Sequence, residues 1–277
     1  MTNRPQNGVP LAAMPAFLVV GVLTTAGIVG VVRTSLRQGI LGEAGIGVRA
    51  WRRVLADPEF LATVGFTIWV AVASTIISIV GAVAVASIVR HGSRARIAIT
   101  LPIASPHLVV ATLAVIWLAP GGLVDRVGAG LPISIVGHRH GWGVIGVYAA
   151  KEIPFLTLLA IAVLDDATKE LEDTAAMLGA NAWRRLLDVG LPRMATPMIG
   201  GGLVVAAFVI GAVEVPLLLG PNRPTMLGPY ALDTVRIHGP AARSDAAVAE
   251  LVAAAVVFAM GLAGGLMWWR WRLMGPK

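Results

Sequence analysis

The sequence predicts an all-α integral membrane protein with about six transmembrane helices, organised as one membrane domain over residues 1–277. Three observations carry that expectation. The 277 residues are 57% hydrophobic and only 13% charged, with a mean hydropathy of +0.80. The apolar residues fall into runs that reach the ~20 residues a helix needs to cross hydrocarbon. The loops between the runs are too short to build a separate soluble core.

The first run, residues 11–32, is longer than the ~7–15-residue apolar region of a cleaved signal peptide, and Arg4 is the one basic residue ahead of it, so it is expected to stay as a span. Further spans are expected over residues 61–89, 97–118, 144–164, 198–219 and 246–269. Trp268, Trp269 and Trp271, set beside Arg270 and Arg272, suit a helix end among lipid headgroups. Gly200, Gly201 and Gly202 in the fifth run, and Gly261, Gly264 and Gly265 in the sixth, suit close helix packing or reflect the codon bias of a GC-rich genome.

Charge inside a span costs a few kcal/mol per group unless it meets a partner or water. Lys151 and Glu152, just ahead of Pro154 in the fourth run, are therefore expected to point inward. Neighbouring helical residues diverge by about 100°, so these two are poorly placed to pair with each other. Glu214 in the fifth run is the candidate partner for Lys151 if the charges are structural. In the functional alternative Glu152 or Glu214 lines a translocation path. Pro154 removes the backbone bond to Ala150 and is expected to bend the span or open a cavity there. The third run holds Pro102, Ser105, Pro106 and His107, whose freed carbonyls and polar side chains are tolerable only against protein or water. Ser105 and His107 are thus pathway candidates as well, although a histidine here also suits ordinary hydrogen-bonded packing. From Glu214 the chain is expected to leave the membrane through Gly220 and Pro221 into an outward loop.

Between the fourth and fifth runs lies a polar segment with helical spacing. Leu171, Ala175, Leu178 and Ala182 share one stripe, while Lys169, Glu170, Asp173 and Arg184 lie off it. Gly179 suits the left-handed end of one helix, Asn181 the cap of the next, and Pro192 a stop or a first helical turn. Two short helices meeting at a bend are expected, and they read either as a docking surface or as an ordinary surface pair.

Within this segment stand Asp173, Thr174 and Ala175, then three residues, Gly179, nine residues, Val189, one residue, and Leu191-Pro192. The pattern resembles the permease subunits of bacterial binding-protein-dependent ABC importers, whose loop carries Glu-Ala-Ala, three residues, Gly, nine residues, Ile, one residue, Leu-Pro. Asp for Glu, Thr for the first Ala and Val for Ile are departures that keep charge, size or branching. The resemblance implies a type I ABC importer permease fold, multi-pass in the bacterial plasma (inner) membrane, with a cytoplasmic coupling loop over about 165–197. It implies that Glu172, Asp173, Thr174, Ala175, Gly179, Val189, Leu191 and Pro192 seat in a groove of a separate ATPase. The implied partners are two ATP-binding subunits, a second permease of the same or a different chain, an extracytoplasmic substrate-binding protein and the bilayer. The Lys151 run and the stretch after Glu214 are most similar to permeases of the polyamine, iron and small-oxyanion group. The alternative from another class is an ion-coupled secondary transporter or channel using Lys151, Glu152 and Glu214.

Several chemistries are excluded or unsupported. The chain has no cysteine, hence no disulfide, thiolate catalysis or Cys-based metal site. Its lysines, Lys151, Lys169 and Lys277, follow Ala, Thr and Pro, whereas a phosphate-binding loop requires Gly before Lys, so ATP hydrolysis is expected on another subunit. No zinc-protease or nucleophile-elbow pattern is present, and His138 and His140 flank Arg139 without helical spacing. A hydrolase built on Ser105 and His107 lacks an identifiable acid partner. No metal, cofactor or catalytic residue is expected. The net charge of +7 is interrupted by the spans and suits headgroup contact rather than nucleic acid. Basic residues divide almost evenly between the two sides; Arg90, Arg94 and Arg96 and the tail from Arg270 to Lys277 favour the docking loop as the inside, and Arg33 and Arg37 oppose it.

Overall fold

The computed structural model describes residues 14–38, 45–89, 93–128 and 134–274. Helix α1 (Met14–Leu36) leads into a small antiparallel pair, β1 (Arg37–Gln38) and β2 (Gly45–Ile46), with Arg37 opposite Ile46. Then come α2 (Arg49–Leu55), α3 (Pro58–Val89), α4 (Ser93–Thr100), a 3₁₀ turn (Leu101–Ala104), α5 (His107–Leu118), α6 (Leu123–Arg126) and α7 (Trp142–Ala162). The chain continues as α8 (Asp166–Met177), α9 (Ala182–Arg185), a π-helical turn (Leu186–Gly190), α10 (Leu191–Gly211), α11 (Glu214–Leu219), α12 (Leu227–His238), a 3₁₀ turn (Gly239–Ala242) and α13 (Arg243–Met274). Among the described residues, six helical stretches are long and apolar enough to cross a membrane.

The core is the α3–α7 contact, with α10 packed on both. Phe66, Val70, Ala82 and Ala86 of α3 meet Val144, Tyr148, Leu156 and Ala160 of α7, and Val205 and Val209 of α10 close the cluster. Lipid is as apolar as leucine, so close approach rather than expulsion of water holds such helices together. A Cβ on Gly81 would fall 2.6 Å from Ile153 Cδ1, and one on Gly201 or Gly202 would fall 2.7 Å from Leu156 Cδ2 or 2.8 Å from Ile79 Cδ1. Those glycines are packing residues, as is Gly264 against Leu203, whereas Gly200, Gly261 and Gly265 face open space. In contrast to α7, α1 touches the rest of the chain chiefly along α13 and stays exposed over nearly its whole length.

The six expected runs are present, but three of them differ from their expected form. The third, over 97–118, is not one helix. Ser105 precedes Pro106, whose ring pushes it into an extended conformation (ψ 135°), and the chain breaks between the 3₁₀ turn and α5. The fifth, expected over 198–219, begins at Leu191 and ends at Gly211, because Ala212 is extended and α11 starts afresh at Glu214. The stretch from Glu214 is therefore not a simple outward loop: α11 packs on α5 and α7, and the Gly137 amide donates to the Leu219 carbonyl at 2.9 Å. The sixth starts earlier than expected, at Arg243. Residues 11–13 of the first span, Arg4, Arg90, Lys277 and the side chains of Arg94, Arg96, Trp271 and Arg272 lie outside the described residues.

Candidate functional site

Helix α8 begins on Asp165, whose carboxylate accepts from the Thr168 amide at 2.9 Å and from its hydroxyl at 2.7 Å. These bonds, with Arg193 at 3.6 Å, hold the Asp165 carboxyl below the usual carboxylate range. The helix ends in a Schellman motif: Gly179 at φ +86° donates its amide to Ala176, and the Ala180 amide donates to Ala175. Asn181 then caps α9 by accepting from the Arg184 amide at 2.9 Å. The two short helices and the bend expected from Gly179 and Asn181 are what forms. Pro192 neither stops the helix nor starts an isolated one. It lacks the amide that would bond Asp188 four residues back, and its ring crowds that carbonyl, which accounts for the widened π turn just upstream. As a result α9, the π turn and α10 run as one helical rod over Ala182–Gly211.

The orientation of α8 is informative. Its buried residues are Thr168 and Glu172, and a Cβ on Gly190 would lie 3.7 Å from the Glu172 carboxylate. Leu171, Met177 and Leu178 are exposed, the last two at 81% and 84%, and Trp183 on α9 is 65% exposed. Asp173, Thr174 and Gly179 share the exposed side, Ala175 and Val189 are half-buried, and Leu191 and Pro192 are exposed at the head of α10. Glu172 is the exception among the expected docking residues, because it faces into the chain.

The intramembrane charges assemble differently from the expected Lys151–Glu214 pair. Lys151 and Glu152 are both buried, at 5% and 8% exposed. Where the third span breaks, the Lys151 ammonium donates to the freed carbonyls of Ile103 at 3.3 Å and of Ser105, to the Pro102 carbonyl at 2.5 Å beside the Ser105 amide, and to the Ser105 hydroxyl. A cation at carbonyls ending a helical turn is favourable electrostatics, and three N–H donors are fully used by these acceptors. Ser105 is thereby drawn into this tie, its hydroxyl also donating to Pro102 at 2.7 Å. Among the described residues no basic group pairs with Glu214, which is exposed at the start of α11. Glu152 turns the other way and meets His107 Nε2 at 3.0 Å. The His107 ring lies 4.7 Å from that of Phe208 and 6.1 Å from that of Tyr148. Pro154 leaves α7 continuous through Ala162. Sequence reasoning missed Tyr148 and Phe208, which look like ordinary packing residues until the helices meet.

With this geometry, the chain matches the family model described as the binding-protein-dependent transport system inner membrane component over residues 92–267. The chain belongs to that family. The chain is 27% identical over 247 residues, covering 82% of its length, to the inner membrane ABC transporter permease protein YnjC from Escherichia coli (strain K12). The match spans only 45% of that relative's length. The fold is also that of a bacterial alginate ABC transporter solved with an alginate pentasaccharide-bound periplasmic protein, at TM-score 0.70 and 18% identity over 93% of this chain and 91% of the other. A second structure, of a bacterial ABC transporter involved in import of the acidic polysaccharide alginate, matches at TM-score 0.70 and 17% identity over 94% and 93%. At such identities the likeness is one of fold, and it is the six-span type I importer permease fold. Family membership places the protein as a multi-pass inner membrane component. The matched region contains α8, α9 and both intramembrane charges, and leaves out α1, α2 and α3.

The opposite ends of the spans carry a second polar region. A cleft of about 900 Å³ is lined by α2, the head of α3, α12 and the head of α13. Arg53 grips Asp245 there with contacts of 2.6 and 3.1 Å, and Arg223 meets Glu59 at 3.2 Å. His138 and His140 lie with ring centroids 5.3 Å apart, yet among the described residues no three His, Asp or Glu side chains gather as a metal site.

Proposed function

We propose that this chain is the permease subunit of an ATP-driven importer, in which α8, the Gly179 bend and α9 seat in a separate ATPase on the cytoplasmic side. The observation that carries the reading is the exposed apolar tip formed by Met177, Leu178 and Trp183, ringed by Asp173 and Arg184, on a segment whose polar residues Thr168 and Glu172 face inward. An apolar face in that setting calls for a protein partner. The sequence lacks a phosphate-binding loop of its own, and family membership supports a partner that supplies one.

Movement of the tip would act on two spans at once. Three residues join α8 to α7, which carries Lys151 and Glu152, and α9 is continuous with α10, which carries Phe208. The rod over Ala182–Gly211 is about 45 Å long at 1.5 Å per residue, so a small tilt at the ATPase displaces the far end. The face bearing Glu152, His107 and Glu214 is the proposed wall of the solute pathway, completed by a second permease. The cleft at the opposite ends of the spans faces the proposed extracytoplasmic binding protein, and the cargo is a small solute.

Reconstitution of the permeases with the ATPase and binding protein tests this reading. Uptake should require hydrolysable ATP, and Trp183→Ser with Leu178→Asp should abolish ATPase copurification while the membrane domain stays folded. Solute movement driven by an ion gradient without any ATPase would replace the reading with a secondary transporter.

A further inference from the structure

We propose that His107, Tyr148, Phe208, Glu152 and Glu214 form a seat that makes the pathway selective for organic cations; this rests on the pathway reading above and names its solute class. The charge balance of the wall decides the sign. The one lysine near it, Lys151, spends its donors on the carbonyls of Pro102, Ile103 and Ser105. Glu152 has only a histidine as partner, and Glu214 has no basic partner among the described residues. Among the described residues, the wall then carries two carboxylates and no ammonium or guanidinium left free by its own partners. In a path of low dielectric that arrangement attracts cations and repels anions strongly.

A second feature points to a ligand independently of the acids. Tyr148 is fully buried, yet its hydroxyl has no hydrogen-bond partner, and both Glu152 and Glu214 lie within its electrostatic reach. A buried phenol is normally paired, so an unpaired one beside the His107–Glu152 contact suits a site completed by a donor or acceptor from outside the chain. The aromatic faces make the ligand organic. Phe208 stands at 6.1 Å and 90° to Tyr148, His107 lies against both, and Phe208 is 44% exposed. Ring faces attract alkylammonium groups. A bare metal ion would instead need three or more hard ligands together, and the described residues offer no such group.

The chain has no cysteine, so one introduced thiol reports on the seat. Leu218→Cys lies one helical turn from Glu214 on an exposed position, and Leu217→Cys, also exposed, is the second reporter. In the assembled transporter in nanodiscs, labelling rates are measured with trimethylammonium-ethyl and sulfonatoethyl methanethiosulfonates. The cationic-over-anionic rate ratio should exceed that of a free thiol by about tenfold, and should fall about fivefold on Glu214→Gln. Millimolar choline should slow the cationic reagent, whereas sodium or magnesium chloride of equal ionic strength should not. Labelling by both reagents without charge preference, or preference for the anion, overturns the cation seat and leaves the pathway reading standing. Equal slowing by the inorganic salts overturns the organic part. Failure of both thiols to label at all overturns the pathway reading itself.

Discussion

Helices α7 and α8 are separated by three residues, and they break the ordinary inside–outside rule in opposite senses. Helix α7 buries an ammonium and a carboxylate, while α8 leaves Met177 and Leu178 in the open and turns Thr168 and Glu172 inward. The difference is one of surroundings. Around α7 the other spans pack closely and exclude water, so Lys151 and Glu152 turn to carbonyls and to His107. Around α8 water solvates Lys169, Glu170 and Asp173 without help, and the apolar side chains Met177 and Leu178 stay exposed beside them. Polar burial in α7 thus records what the chain satisfies by itself, and apolar exposure in α8 is what the proposed ATPase contact would cover.

The largest effect is expected from removing the donor that α7 supplies. Lys151→Met takes the ammonium donor from the Ile103 and Ser105 carbonyls, while Pro102 keeps its bond from Ser105, and should destabilise the membrane domain by about 1–3 kcal/mol, read as a lowered unfolding temperature in detergent. Glu214→Gln combined with it should give additive changes, since the two side chains are not paired. Recovery of stability in the double mutant would reinstate a Lys151–Glu214 pair.

At the α8 bend the expected effect falls on coupling instead of folding. Proline cannot adopt the positive φ of Gly179, so Gly179→Pro should abolish ATP-driven uptake in the reconstituted transporter. Nothing lies within 4 Å of a Cβ built on Gly179, so the constraint within this chain is conformational. Gly179→Asn, which tolerates the left-handed region, should keep uptake within about threefold of wild type. Loss of uptake in the asparagine variant with an intact fold would reveal a close contact with the ATPase.

A smaller effect is expected at the rim of the docking face. Asp173→Lys reverses an exposed charge and should weaken ATPase copurification by about tenfold at low salt, with no change in unfolding temperature. Equal copurification at all ionic strengths would move the contact away from this carboxylate.

The smallest effect is a pH dependence of the α8 cap. Asp165 titrates below its unfolded value, so its contribution is present above the ordinary aspartate pKa and is lost as pH falls through the lowered one. Hydrogen exchange at residues 166–169 should therefore become less protected, after correction for intrinsic rates, only in the acid range. Asp165→Asn should remove most of that change.

Much of this was legible along the chain because it depends on local pattern. The six apolar runs announce spans through length alone, and Gly179 followed by Asn181 announces a helix end and a helix start through backbone conformation and capping. The breaks inside the third and fifth runs were harder to place. Pro102 and Pro106 showed that carbonyls would be freed, but not which side chain would satisfy them. Charge signs alone favoured Glu214 for Lys151; the alternative acceptors were uncharged backbone atoms that any sequence carries.

The sequence by itself determined that the chain crosses a membrane about six times, that it cannot bind ATP through a phosphate loop of its own, and that a capped two-helix bend interrupts the spans. These follow from hydropathy, a missing Gly-Lys pair and turn chemistry, all of which act over a few neighbouring residues. Only the tertiary structure decided that Lys151 ties down the broken third span, that Glu172 faces inward while Leu178 faces out, and that His107, Tyr148 and Phe208 meet beside Glu152. Those outcomes depend on how far each helix is rotated about its own axis, and that rotation is set by packing between spans distant in sequence.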